Sequence, residues 1–280
     1  MSVAADSDAR WSGQIRERAL AALRQGRLDQ ATNLAREALS TNPADTIAAQ
    51  TLGQALVMQN RAREAVDALR APAALSQDAG LETLLARALA MAGRPDEAFD
   101  QLRQTTSRRP AFVLAFLELG ELLARAGRSD EALEVFAEGL TLAPDAAVLR
   151  LGLGHLHLGL NDRTRARALF GEVCAAAPQR FDAKLALARV LELEGDFSGA
   201  ASLCVAALET RPDEPAAQLK LGKCLLELGE RDAGEAALKR AARRSGGAAW
   251  LAIAGLAATS RGRLFLKPSD ATRFLRAEAA

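Results

Sequence analysis

The sequence contains no tyrosine, and aromatic residues of all kinds make up only 4% of its 280 positions. Residues with β-branched side chains are also sparse, whereas alanine and leucine dominate the 49% of positions that are hydrophobic. Alanine, leucine, arginine and glutamate favour helices, while strands favour aromatic and β-branched residues. The composition therefore predicts an all-α protein.

Cysteine is rare, and none of Cys174, Cys204 and Cys224 belongs to a C-x-x-C pair. Lone cysteines in apolar segments are typical of buried, reduced thiols. The N-terminus lacks a basic start followed by an apolar run. The most apolar stretch, residues 248–259, falls short of the roughly 20 residues that span a bilayer. We therefore expect no membrane span and a cytoplasmic location.

Motifs for catalysis are missing as well. The sequence contains no glycine-rich phosphate loop, no G-x-S-x-G and no H-E-x-x-H. Its only two histidines, His155 and His157, would point about 200° apart on a helix, so they cannot share a metal ion. The net charge of +1 favours neither nucleic acid nor a membrane surface. We expect no enzyme activity, no metal and no cofactor.

Three classes of residue recur with one period in a fixed phase. Glycine or asparagine predicts a left-handed turn between two helices, and proline ends the second helix. Asp or Ser after the turn, as at Ser129, Asp162 and Asp196, is predicted to cap that helix. The period is 34 residues, apart from one spacing of 33, in three series: Pro110, Pro144, Pro178 and Pro212; Gly26, Asn60, Gly93, Gly127, Asn161, Gly195 and Gly229; and Ala31, Ala65, Ala98, Ala132, Ala166 and Ala200.

Each copy resembles the tetratricopeptide repeat, as residues 113–145 show best: VLAFLELGELLARAGRSDEALEVFAEGLTLAPD. The resemblance implies a right-handed α-α superhelix in which stacked repeats share one continuous core. The usual tryptophan at position four is replaced, as by Phe116 and Arg150. The matching features are alanine at position twenty, proline at position thirty-two, a large apolar residue at position twenty-four (Leu102, Phe136, Phe170), and a small residue at position eight (Gly53, Ala86, Gly120, Gly154, Ala188, Gly222).

The period divides the chain into three parts. We predict a flexible N-terminus over residues 1–11, seven repeats over residues 12–246 and a C-terminal cap over residues 247–280. Pro72 and the spacing of 33 residues predict a shortened helix in the second repeat and an irregular junction near residues 70–80. This junction is either a tolerated kink or a hinge between two halves of the array.

The resemblance also implies that the first helix of each repeat lines a concave groove. Positions five and nine then face a partner, and in the last four repeats they combine a row of leucines with polar residues. The alternative is that the leucines pack inside the protein. The candidate partner-binding residues are Leu117, Glu121, Leu151, His155, Leu185, Arg189, Leu219 and Lys223.

The leading hypothesis is a non-enzymatic scaffold that binds an amphipathic helix or an extended apolar peptide of another protein. The alternative is a structural module that self-assembles into homo-oligomers. The Lys and Asn residues of the carboxylate clamp known in this family are missing, which argues against acidic chaperone tails. A basic C-terminal end carries too few aromatic residues to predict nucleic-acid binding. The apolar residues of segment 263–276 leave open that it fills the groove.

Overall fold

The computed structural model describes residues 2–244, 246–259, 262 and 268–276. Within these ranges the chain forms helices and no strands, so the all-α prediction is confirmed. None of the described helices combines the length and the hydropathy that crossing a bilayer requires. The helices are α1 (Ser2–Arg24), α2 (Leu28–Thr41), α3 (Thr46–Met58), α4 (Ala62–Ser76), α5 (Ala79–Met91), α6 (Pro95–Thr106), α7 (Val113–Arg125), α8 (Ser129–Leu142), α9 (Ala147–Gly159), α10 (Arg163–Ala176), α11 (Phe181–Glu194), α12 (Phe197–Thr210), α13 (Pro215–Leu228), α14 (Arg231–Arg244), α15 (Gly246–Ala258) and α16 (Pro268–Arg276).

The helices form two compact units, Met1–Leu149 and Arg150–Ala280, and the boundary falls within α9. Each helix packs on the next helix along the chain, from α1 to α8 in the first unit and from α10 to α16 in the second. First helices of neighbouring pairs also touch, as α3 does with α5, α5 with α7, and α13 with α15. Such nearest-neighbour packing is characteristic of a helical solenoid. The helix α1 begins at Ser2, so it includes most of the segment predicted to be flexible.

The turns between paired helices adopt the predicted conformation. All seven glycine and asparagine positions of the periodic series have a positive φ, between 59° at Asn60 and 86° at Gly229. An L-residue with a Cβ is disfavoured there, which explains the choice of glycine and asparagine. Gln77, the residue that follows α4, shares the conformation with a φ of 52°, although nothing in the periodic series predicted it.

Two of the three predicted helix caps are confirmed. The side chain of Asp162 accepts a hydrogen bond from the backbone of α10, and that of Asp196 does the same for α12. The prediction for Ser129 is wrong, because Ser129 is the first residue of α8 and Arg128 occupies the capping position. Arg128 instead donates two side-chain hydrogen bonds of 2.6 Å to Glu131.

A second periodic feature escaped the sequence analysis. Glu64, Glu97 and Glu131 each pair with the arginine three residues earlier, at the start of the same helix. Each also pairs with an arginine on the second helix of the preceding repeat: Arg36, Arg70 and Arg103. Surface ion pairs add little stability. These pairs therefore connect successive second helices along the surface without adding much to stability.

The prediction of a shortened helix in the second repeat is also wrong. The helix α4 runs for 15 residues with Pro72 inside it. Proline removes one backbone donor and bends a helix, but it does not have to end it. The irregularity instead lies just after α4, where Arg108 donates to the carbonyl of Gln77 (2.9 Å) and pairs with the buried Glu82 (2.7 Å). These bonds attach the junction to the third repeat.

The C-terminal helices continue the packing of the second unit. Leu275 of α16 is buried in a cluster with Leu238 of α14 and Leu256 of α15, and Phe274 packs against the same cluster. Residues 263–267, the first part of the segment 263–276 that was considered for filling the groove, lie outside the described residues. All three cysteines are free: Cys204 and Cys224 are buried as predicted, whereas Cys174 is half-buried. Burial raises the pKa of Cys204 to about 12.

Paired helices approach closely where the sequence places small residues. A Cβ atom built on Gly154 would lie 2.5 Å from the ring of Phe170, and one on Gly120 would lie 2.6 Å from the ring of Phe136. Leu69 and Leu238 fill the same space against Gly53 and Gly222. Since side-chain Cβ atoms do not tolerate such distances, a small residue at position eight is required for this packing.

We expect the substitution Gly154→Ala to lower the free energy of unfolding by about 1–3 kcal/mol, because the new methyl group overlaps the buried Phe170. The matched control is Gly171→Ala in the neighbouring helix α10, where a Cβ would meet nothing within 4 Å. That control should raise the free energy of unfolding by about 0.5–1 kcal/mol through helix propensity. Urea denaturation measures both, and equal effects would contradict the packing account.

Candidate partner-binding surfaces

In the first unit, the predicted residues Leu117 and Glu121 lie one turn apart on α7. Leu117 is half-buried and Glu121 is exposed. Glu121 borders a recess of about 430 Å³ between α5 and α7. Exposed Met91 gives this recess an apolar wall. The other lining residues are Arg87, Ala90, Glu118, Leu122 and Arg125.

The charges in this recess are partly neutralised. Glu118 is only 7% exposed and pairs with Arg87 on the neighbouring first helix α5. Desolvation, and then the charge of Glu118, raise the pKa of Glu121, while Arg125 and Arg87 oppose the shift.

In the second unit, the four predicted leucine and histidine positions do not share one environment. Leu151 is only 6% exposed, so the prediction that it faces a groove needs correction: the side chain belongs to the core. Leu185 and Leu219 are half-buried. Leu185 packs against a cluster that contains Cys204, and Leu219 packs against the cluster that contains Leu238. Both leucines therefore divide their surface between the core and solvent.

The row of half-buried apolar residues extends into α15. Ile253 follows Leu219 by one period, and both pack against the same cluster. Ile253 was not predicted from the sequence, because α15 is apolar throughout and its residues show no hydrophobic periodicity that would distinguish an exposed face. Leu185, Leu219 and Ile253 on α11, α13 and α15 are called the apolar row below.

Beside this row, the cations at position nine have different environments. His155 is exposed and its ring lies 5.0 Å from that of Phe170. Burial, and then the charge of Arg189, lower the pKa of His155, so the imidazole is neutral at pH 7. Arg189 is exposed and Lys223 is half-buried, and neither has an ion-pair partner among the described residues. The stem of Lys223 crosses Gly255 on α15, where a Cβ would lie 3.2 Å from Cε.

The two histidines point in different directions, as predicted. His157 is 8% exposed, and its Nδ1 lies 3.5 Å from a carboxylate oxygen of Asp162. His155 instead faces Phe170 and Arg189. Across the described residues, no group of three or more His, Cys, Asp and Glu side chains is arranged to hold a metal ion.

We expect Glu121→Gln to stabilise the protein near pH 7. The raised pKa of Glu121 means that its carboxylate costs free energy in the folded state. Stability contributed by this group is therefore present below its unfolded-state pKa and decreases as the pH rises through the folded-state pKa. The variant should melt higher than the wild type at pH 7, with the difference vanishing near pH 3. A lower melting temperature at pH 7 would contradict the assignment.

Comparison with known proteins agrees with this architecture. Two family models, both described as tetratricopeptide repeat, match residues 22–88 and 191–256, and residues 83–147 and 151–215. No curated protein shows significant sequence similarity to the chain.

Several solved structures share the fold at low sequence identity. A tetratricopeptide repeat protein from Parabacteroides merdae is 15% identical, with a TM-score of 0.62 over 87% of this chain and 98% of its own. PilF of Pseudomonas aeruginosa is 20% identical, with a TM-score of 0.55 over 76% of this chain and 97% of its own. The structure of the APC/C hetero-tetramer Cut9–Hcn1 contains a chain that is 14% identical, with a TM-score of 0.62 over 85% of this chain and 48% of its own.

The family models together span the repeats of both units, and the structural likenesses extend over most of the chain. The helix pairs, the turn conformations and the small residues at position eight agree with them. The chain therefore belongs to the tetratricopeptide repeat family.

Proposed function

We propose that the protein is a non-enzymatic scaffold whose second unit binds a segment of a partner protein. The segment docks on the apolar row, Leu185, Leu219 and Ile253, and on the neighbouring cations Arg189 and Lys223. The observation that supports the proposal is that these leucines are half-buried while the adjacent cations have no partner among the described residues. Together, α11, α13 and α15 are called the docking wall.

The packing of the apolar row suits such a role. Each of its side chains is held by a core cluster on one side, so little rotamer freedom is lost when a partner covers the other side. Removing the remaining apolar surface from water contributes about 25 cal/mol per Å². Leu151, being buried, takes no part in the contact.

The comparisons support the general class of function. Tetratricopeptide repeat proteins are interaction modules, and one structural neighbour was crystallised within the Cut9–Hcn1 hetero-tetramer. A fold can carry many functions, so the location of the docking wall depends on the residues described above and not on these neighbours.

The test is affinity capture from native lysate with matched variants. We expect Leu185→Ala/Leu219→Ala to reduce the recovery of a specific partner about tenfold or more, because truncating central apolar contacts costs about 1–2 kcal/mol each. The control is Leu203→Ala/Leu208→Ala on the second helix α12. Those leucines are also half-buried and pack against the cluster that Leu185 contacts.

Equal losses in the two variants would contradict the proposal, since the loss would then follow from weakened core packing. Circular dichroism verifies that both variants remain folded. Light scattering over a range of concentrations tests the alternative of self-assembly. A monomer is expected, and a mass that rises with concentration would favour homo-oligomers instead.

A further inference from the structure

We propose that the segment that binds the docking wall is acidic and amphipathic. Its carboxylates pair with Arg189 and Lys223, and its apolar side chains contact Leu185 and Leu219. This inference rests on the proposed function, and it specifies the chemistry of the partner.

The inference is based on the acidic side chains of the first helices in the second unit and on their ion-pair partners. Residues 150–159 of α9 and all of α15 contain no acidic residue. On α11, Asp182 pairs with Arg180 (2.9 Å), and Glu194 pairs with Arg167 (2.9 Å). Glu192 pairs with Lys220 of α13 at 2.6 Å.

The last acidic residue of these helices, Glu227 on α13, also has an interaction within the protein. The acids are therefore engaged. Among the cations on the described part of the wall, Lys220 pairs with Glu192, and the buried Lys184 donates to the carbonyl of Ala206. Arg189 and Lys223 are left at the surface without an ion-pair partner among the described residues. Desolvation, and then the charge of Arg189, lower the pKa of His155, so this histidine adds little positive charge to the wall at neutral pH. The wall thus presents an uncompensated positive charge beside an apolar row.

The arrangement of the two cations matches an amphipathic ligand. Leu185 and Arg189 lie one turn apart on α11, and Leu219 and Lys223 repeat that pairing on α13. A segment that crosses both helices therefore meets an apolar side chain and a cation at each of them. The partner that complements this pattern is an amphipathic segment with apolar residues on one face and acidic residues beside them.

A synthetic peptide tests the inference on the full chain. The probe is a fluorescein-labelled peptide of about 14 residues, with leucines three and four residues apart and glutamate elsewhere. In the matched peptides, lysine or glutamine replaces every glutamate. Fluorescence anisotropy at low salt should show that the glutamate peptide binds roughly tenfold more tightly than the lysine peptide. The glutamate peptide gains two exposed charge pairs with the protein, whereas the lysine peptide is repelled by the same two cations.

Charge reversal on the protein provides the decisive comparison. Arg189→Glu/Lys223→Glu should reverse the order, so that the lysine peptide binds more tightly. The control Arg18→Glu/Arg63→Glu makes the same change in net charge within the first unit. Its two arginines are exposed and have no ion-pair partner among the described residues. The control should retain the preference for the glutamate peptide.

Each outcome decides between the two proposals. Equal binding of the three peptides, no binding of the glutamate peptide, or an unchanged order in Arg189→Glu/Lys223→Glu would overturn the acidic partner. If Leu185→Ala/Leu219→Ala still weakens all three peptides while no charge preference exists, the docking wall stands and only the inference about acidity fails. Tighter binding of a single-stranded oligonucleotide than of the glutamate peptide would also overturn it.

Discussion

In four of the helix pairs, the backbone of the first helix lies within van der Waals reach of one large apolar side chain on the second helix. At Gly53, Gly120, Gly154 and Gly222 there is no room for a Cβ atom, because a leucine or phenylalanine sixteen residues later occupies that space. The alanines at the equivalent positions 86 and 188 are fully buried. This close approach sets the distance between paired helices. Each pair then offers an apolar face to the next pair, and the positive-φ turns bring the chain back at the required angle.

Features determined by local chemistry could be predicted from the sequence. Glycine and asparagine mark all seven turns, because few other residues adopt a positive φ without strain. Gln77 was not predicted, because glutamine is not typical of that conformation and Gln77 belongs to none of the periodic series. Ser129 failed as a cap because an arginine–glutamate pair takes that place in α8. Pro72 lies inside a helix whose other residues favour continuation, so it does not end that helix.

The candidate site was only partly predictable, because exposure and pairing depend on neighbours from other repeats. Leu151 and Leu185 are the same residue type at the same repeat position, yet the first is buried and the second half-buried. Lys220 and Lys223 lie one turn apart on α13, and a glutamate of α11 neutralises only Lys220. Periodicity identifies which residues occupy a helix face. It does not show which of them the adjacent repeat covers, and only the structure identified Ile253 and the Arg87–Glu118 pair.

The central claim is that a partner contacts the first helices of the second unit. Site-specific photo-crosslinking tests it most directly, with a photoreactive amino acid placed at position 193 on α11 or at position 205 on α12. Leu193 is 45% exposed and lies one turn after Arg189, so the probe replaces none of the proposed contact residues. Val205 is a suitable control site because it is 49% exposed and lies on a second helix of the same unit. We predict a crosslinked partner from position 193 and none from position 205. Crosslinking from position 205 alone would contradict it and would assign the interaction to the second helices.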